Sequence, residues 1–301
     1  MRRFAVPALL LAAALASMPA QAKLKVFACE PEWGSLLQEL AADKVDVVVA
    51  TTALQDPHVI EAKPSLIAKM RDADLVICTG AELEIGWLPM LVRQSGNSKV
   101  ASGPGSFMAA AQVKLLGKPG VVDRAHGDVH PEGNPHVQMD PRRMLIIAQR
   151  LGARLAELDP ANAAFYKQRL ADFQARWLAA MAKWKVEAAP LRGRKVVVHH
   201  ISWDYLWDWL GMQQIGALEP KPGVPPTSGH LASLIGVTKG SDTLAIVSAA
   251  YQSPKAAEWL SDRTGVPAVT LPFTVGGDAQ SKDLFGLMDS TIAKLLGAAR
   301  K

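Results

Sequence analysis

Short apolar runs alternate with amphipathic stretches along most of this chain. Residues 24–28, 45–50 and 74–78 are nearly all apolar and read as strands, with helices near 33–42 and over 64–72 between them. Residues 99–101 offer one more candidate strand. The second half repeats the pattern, with strands at 195–199, 213–217, 244–248 and 268–272 and helices near 203–210, 228–237, 254–263 and 282–299. Strands of this kind, alternating with helices, imply parallel sheets covered on both faces. Between the halves, Tyr166, Leu170, Phe173, Trp177, Met181 and Trp184 recur at spacings of three and four with no Gly or Pro among them. That spacing predicts one long amphipathic helix, and a stiff connection predicts restricted motion between the halves.

The first residues change the picture of where the chain works. MRRFAVPALLLAAALASMPAQA has two arginines, a short apolar core and an Ala-Gln-Ala ending, the pattern of a cleavable export leader over 1–22. No cysteine stands at the cleavage point to carry a lipid, and no later stretch is apolar for long enough to cross a bilayer. The formal net charge is +5, two units of which are Arg2 and Arg3 of the leader. The remaining basic residues form no block, which argues against a nucleic-acid partner. Cys29 and Cys78 are the only cysteines, both at the ends of predicted strands; an oxidising compartment leaves open whether they pair.

Seven histidines remain to be placed. His58 lies in QDPHVIEAKP after a strand, His136 in GNPHVQMDP, and His199 and His200 end the strand that starts the second half. Ligands of open α/β sheets bind beyond the carboxyl ends of strands, so two facing halves would bring these loops together. In both DPH and NPH a proline precedes the histidine, launching the imidazole from a stiff backbone. Asp140-Pro141 reads as a helix start, with an acid at the N-cap and proline at the first helical position. Imidazole is the commonest metal-binding side chain and suits zinc.

The ordered set DPHVIEAKPS, GNPHVQMDP, VVVHHISWDYL, EPKPGVPPTSGHL and YQSPKAAEWLSDRTGVPAV resembles the periplasmic zinc/manganese solute-binding proteins of bacterial ABC importers. The resemblance spans nearly all of the chain after the leader. It implies an α/β fold of two Rossmann-like lobes with parallel sheets, joined by one long rigid helix, with a metal site in the interlobe cleft. The expected organisation is a leader at 1–22, a first lobe at 23–158, a linking helix at 159–188 and a second lobe at 189–301.

Carried over position by position, the resemblance makes His58, His136 and His200 metal ligands, with His199 turned towards the sheet because adjacent strand residues face opposite ways. The family's fourth, acidic ligand follows the last strand. In LPFTVGGDAQSKD the nearest positions are apolar, so Asp278 is the best replacement, with His130, Asp283 or a water as alternatives. Three imidazoles and a carboxylate favour Zn(II) over Mn(II) as the cargo. The implied partner is the membrane permease of an ABC importer, with a periplasmic metallochaperone as a further candidate, and the protein is expected to be a periplasmic monomer rather than an enzyme.

Other features carry less. His126 and His130, in DRAHGDVHPEG, could hold an accessory metal or stay solvated, and His230 is expected to pack or cap. The aromatic WDYLWDWLG is expected to pack in the core and line the cleft, and Glu82 and Glu84 to be surface or supporting groups. A secreted zinc hydrolase is the main alternative, although H-E-x-x-H is absent. A metal-independent adhesin or organic-solute binder is a third.

Overall fold

A computed structural model of the chain describes residues 22–120, 127 and 129–300. The leader up to residue 21 and His126 lie outside the described residues. The first sheet is built from β1 (Leu24–Ala28), β2 (Val45–Val49), β3 (Leu75–Cys78) and β4 (Ser106–Met108), in the order β2-β1-β3-β4. The second contains β5 (Lys195–Val198), β6 (Gln213–Ala217), β7 (Thr243–Ala249) and β8 (Ala268–Leu271), in the equivalent order β6-β5-β7-β8. Every pairing is parallel. In both sheets the order reverses beside the first strand, where loops leave to opposite sides and open a crevice.

Helices cover the sheets as the apolar spacing predicts. α1 (Pro31–Ala41) and α2 (Pro64–Asp72) each carry proline in the first turn, where its missing N–H costs nothing. α3 (Leu88–Ser95) ends on Gly96, whose φ of 65° suits glycine. The expected strand at 99–101 is instead a helical turn, α4 (Ser98–Ala101). Asn97 explains the difference. Its side chain accepts the Lys99 amide and donates to the Met70 and Ala73 carbonyls, so the chain turns before it can extend. The strand that completes the sheet is β4, seven residues later than the expected start at residue 99.

After α5 (Pro141–Leu158) comes the 25-residue α6 (Ala163–Glu187) that joins the lobes. Its Tyr166, Phe173, Trp177 and Trp184 are fully buried, and Leu170 and Met181 pack against the same core. Two indoles on this face are also tied down. Trp177 donates to the Pro141 carbonyl and Trp184 to Asp289 of α10 (Leu284–Ala298). One apolar cluster runs from β1 and α1 through α5 and α6 to β5, α7 (Asp204–Leu210), β7 and α10. The lobes therefore share a core, which opposes large rigid-body separation. α8 (Ser228–Gly240) and α9 (Lys255–Thr264) cover the outer face of the second sheet around Val197, Ile246 and Leu260. Among the described residues, no helix is long and apolar enough to cross a membrane.

Cys29 and Cys78, at the ends of adjacent β1 and β3, form a disulfide with Cα atoms 4.8 Å apart, a separation that suits the bond.

Candidate metal centre

The loops that leave the carboxyl ends of the strands meet between the lobes. They bring His58, His136 and His200 together, with one ligating nitrogen from each lying within 4.8 Å of the others. Ring centroids are 5.3 Å apart for His58 and His136, 5.6 Å for His58 and His200, and 5.7 Å for His136 and His200. Four-coordinate zinc at 2.0–2.1 Å from its ligands needs nitrogens about 3.3 Å apart. A modest contraction of this trio would meet that requirement.

Each imidazole is aimed by the chain around it. The His58 amide and Nδ1 both bond to Oδ1 of Asp56, at 3.0 and 2.7 Å, and the carbonyl of the intervening Pro57 accepts the Trp87 indole N–H at 2.8 Å. His200 Nδ1 lies 2.6 Å from Oε2 of Glu219, on the loop after β6. A carboxylate only accepts, so Nδ1 carries the proton in both rings and the Nε2 lone pair is left for a ligand. His58 Nε2 is buried with no hydrogen-bond partner in the protein. Burial pushes Asp56 upward, but the hydrogen bonds from His58 outweigh it and hold the carboxyl below its usual range.

His136 answers the sequence puzzle of GNPHVQMDP. The Asn134 carboxamide oxygen accepts the His136 amide, its nitrogen donates to Ile201 O and Asp204, and the Tyr205 hydroxyl donates to Asn134 O. Asp140 N-caps α5 by accepting the Arg142 amide and pairs with the Arg142 and Arg143 guanidiniums. The segment thus bolts the His136 loop to the second lobe on one side and to a helix start on the other. His136 itself is 1% exposed, and neither ring nitrogen has a partner within the protein. Burial, with neighbouring imidazoles second, holds it well below the ordinary histidine range, so it is neutral.

The sequence's fourth candidate goes elsewhere. Oδ1 of Asp278 accepts the Gln280 and Ser281 amides, and Oδ2 accepts from Ser290 and Lys294. Burial opposes ionisation there, but these donors prevail and hold the carboxyl at about 2. Asp278 therefore stabilises its own loop and is absent from the histidine cluster. Asp283 caps α10, its Oδ1 accepting the Gly286 amide. Phe273, just beyond β8, packs edge-on against His136 with ring centroids 5.4 Å apart. An apolar ring thus faces the imidazoles where a carboxylate was sought.

His130 stands at the rim of the trio, 5.6 Å from His58 and 6.3 Å from His136 between ring centroids. Burial, with the His58 charge second, pushes it down to about 4. A cavity of about 150 Å³ beside it is lined by His136, His200, Asn134 and Asp204 among others. Of the remaining histidines, His199 is buried outside the trio, and His230 bonds through Nε2 to the Ala217 carbonyl. The tryptophans Trp203 and Trp207, with Tyr205, are core residues, and Trp203 packs against Phe273.

Sequence reasoning placed Glu84 at the surface or in support; it is 2% exposed, whereas Glu82 is open to solvent. Glu84 accepts the Thr79 and Gly80 amides, and Glu30 accepts from the Thr79 hydroxyl beside it. Glu32 takes a hydrogen bond from Thr274 of the second lobe. Burial raises all three carboxyls, Glu32 and Glu84 to about 7. The only other His/Cys/Asp/Glu cluster among the described residues, Cys29, Cys78 and Glu84, has its sulfurs in the disulfide.

The profile of the family described as "Zinc-uptake complex component A periplasmic" matches residues 26–298. The manganese ABC transporter substrate-binding lipoprotein PsaA of Streptococcus anginosus is 27% identical over 188 residues, which cover 61% of this chain and 58% of that protein. PsaA of Streptococcus pneumoniae is 23% identical over 87% of this chain and 83% of its own. The zinc-binding lipoprotein AdcA of S. pneumoniae is 24% identical over 76% of this chain and 46% of its own. Among solved structures, a crystal structure of ZnuA superposes with a TM-score of 0.76 at 24% identity, covering 92% of this chain and 99% of that one. The Mn2+ complex of FpvC from Pseudomonas aeruginosa gives 0.77 at 22%, covering 93% and 99%. These likenesses bear out the two-lobed fold.

Proposed function

The chain belongs to the periplasmic component A family of zinc-uptake complexes, metal-binding proteins of ABC importers, and from that premise we propose that it captures zinc outside the cytoplasm and hands it to a membrane permease. The cargo ion is held by His58, His136 and His200. The observation that carries this reading is the convergence of three imidazoles, two of them with Nδ1 bonded to a carboxylate, on one point between the lobes.

Zinc is favoured over manganese by donor chemistry. Relatives include both proteins named for manganese and proteins named for zinc, so kinship alone does not choose. The trio is all nitrogen, Phe273 packs against it, and Asp278 is engaged elsewhere. Manganese prefers more oxygen ligands, whereas imidazole suits zinc. Copper and nickel compete on affinity alone, so discrimination among late metals rests on supply.

The protein's own contribution is to orient and desolvate. Asp56 and Glu219 hold two rings in the required tautomer and balance part of the ion's charge. Ligands come from both lobes, so binding couples to their fine relative position, while the shared core limits the amplitude. A disulfide between Cys29 and Cys78 accords with an oxidising, extracytoplasmic compartment.

The test is chelator competition on the mature protein freed of metal, with zinc and then manganese. Zinc binding at one site, lost in each of His58→Ala, His136→Ala and His200→Ala, is expected. Wild-type zinc affinity in any one of these variants would remove that residue, and tighter binding of manganese than of zinc would overturn the cargo assignment.

A further inference from the structure

The trio leaves one corner of a tetrahedron to be filled, and the acids sought from sequence are engaged in their own loops. His130 has the geometry for that corner. Its Nδ1 lies 3.0 Å from the carbonyl oxygen of Ala81, which only accepts, so Nδ1 carries the proton. Nε2 then holds the lone pair, and it is buried with no hydrogen-bond partner in the protein. This is the same arrangement that Asp56 imposes on His58 and Glu219 on His200, with a backbone carbonyl in place of a carboxylate.

The carbonyl is aimed by unusual backbone. Gly80, Ala81 and Glu82 have φ of 80°, 49° and 66°, a left-handed run that ordinary side chains avoid. At Ala81 and Glu82, which are not glycine, such backbone persists only where surroundings enforce it. Here the enforcing group is the buried Glu84 carboxyl, which takes the Thr79 and Gly80 amides and closes the turn. Gly127, three residues before His130, runs close against the second lobe. A Cβ on Gly127 would lie 2.2 Å from the Pro222 carbonyl oxygen, so only glycine allows that approach.

We propose that His130 is the fourth ligand, so that the cargo ion is held by four imidazoles and no carboxylate, and that this all-nitrogen set is what excludes manganese. The proposal rests on the three-histidine reading above and specifies its open corner. His130 stands just outside the close cluster of the trio, with ring centroids 5.6 Å from His58 and 6.3 Å from His136, and completes the shell by an inward movement of its side chain. Every donor is then neutral, and the compensating charge lies behind them, on Asp56 and Glu219.

X-ray absorption of the zinc-loaded mature protein counts imidazoles directly, and competition titration measures the consequence. The wild type is expected to give four imidazoles, and His130→Ala three plus a light oxygen scatterer. Zinc affinity in that variant should fall at least ~10- to 100-fold, the loss typical even of a group behind a metal ligand. His130→Asp restores a fourth donor as oxygen and is expected to narrow the gap between zinc and manganese affinity. Three imidazoles in the wild type, or unchanged zinc affinity in His130→Ala, would overturn the assignment of His130 and leave the trio standing. Retention of tight zinc by His136→Ala would instead sink the underlying three-histidine reading.

Discussion

On the reading proposed above, His136 sets metal capture against the stability of the empty protein, and the conflict can be measured. Its ring is 1% exposed, with two nitrogens that find no partner in the protein and an edge-on contact to Phe273. A buried polar group left unsatisfied costs about 1–3 kcal/mol. Water entering the adjacent 150 Å³ cavity recovers part of that for one nitrogen. Leucine is close to histidine in size and brings no polar atom. His136→Leu should therefore stabilise the metal-free protein by about 1–2 kcal/mol, or roughly 2–4 °C in Tm for a chain of this size. Zinc at a thousand times its Kd adds about 4 kcal/mol to the wild type by mass action, and the variant should lose that increment. Thermal and urea unfolding, each with chelator and with zinc, give both numbers on one sample. A variant less stable than the wild type in chelator, yet still stabilised by zinc, would refute the reasoning on both counts.

Three further outcomes are expected. Asp278→Ala should leave zinc affinity unchanged while weakening the loop before α10. Its folded carboxyl sits at about 2 against an ordinary 3.8; the stabilisation is therefore present above pH 4 and lost as pH falls towards 2, and acid unfolding of the variant should begin at higher pH. Glu84 is the opposite case. Its carboxyl is raised from 4.5 to about 7 by burial, so the folded state is favoured at low pH and penalised as pH climbs through 7; Glu84→Gln should flatten that decline in urea midpoints between pH 5 and 8. Opening the Cys29–Cys78 disulfide, whose cysteines are 49 residues apart, should lower stability by roughly 4 kcal/mol by loop entropy, read as a lower urea midpoint in reductant.

Much of the fold was legible because parallel strands buried on both faces must be apolar runs, as in LVIC of β3 and the three valines of β5. The long helix was legible because its bulky residues keep one face over 25 positions. Residues 99–101 misled because Asn97 acts through distant carbonyls of Met70 and Ala73, a tertiary effect that three residues cannot announce. β4 is only three residues long, too short to give a period.

The convergence of His58, His136 and His200 was readable from stiff loops and strand ends. Asp278 was misplaced because sequence cannot tell an acid that closes its own loop from one that turns inward; Ser290 and Lys294, a helix away, decide it. The burial of Glu84 and its grip on the turn at residues 79–82 had no local signature beyond the glycine at position 80.

The helix α6 that braces both lobes also bears on how long an ion stays. With Trp177 and Trp184 anchored and one core shared, opening the lobes is a costly exit. Residence time then belongs to the loops, set by how often Asp56, Ala81 and Glu219 release the rings they hold. Stopped-flow release to a chelator should accelerate when Glu219 is replaced by Gln, and change little when exposed Leu178 on α6 is replaced by Ala. On the proposed reading, a strut of this kind would make the protein a slow-leaking vessel, emptied through its loops.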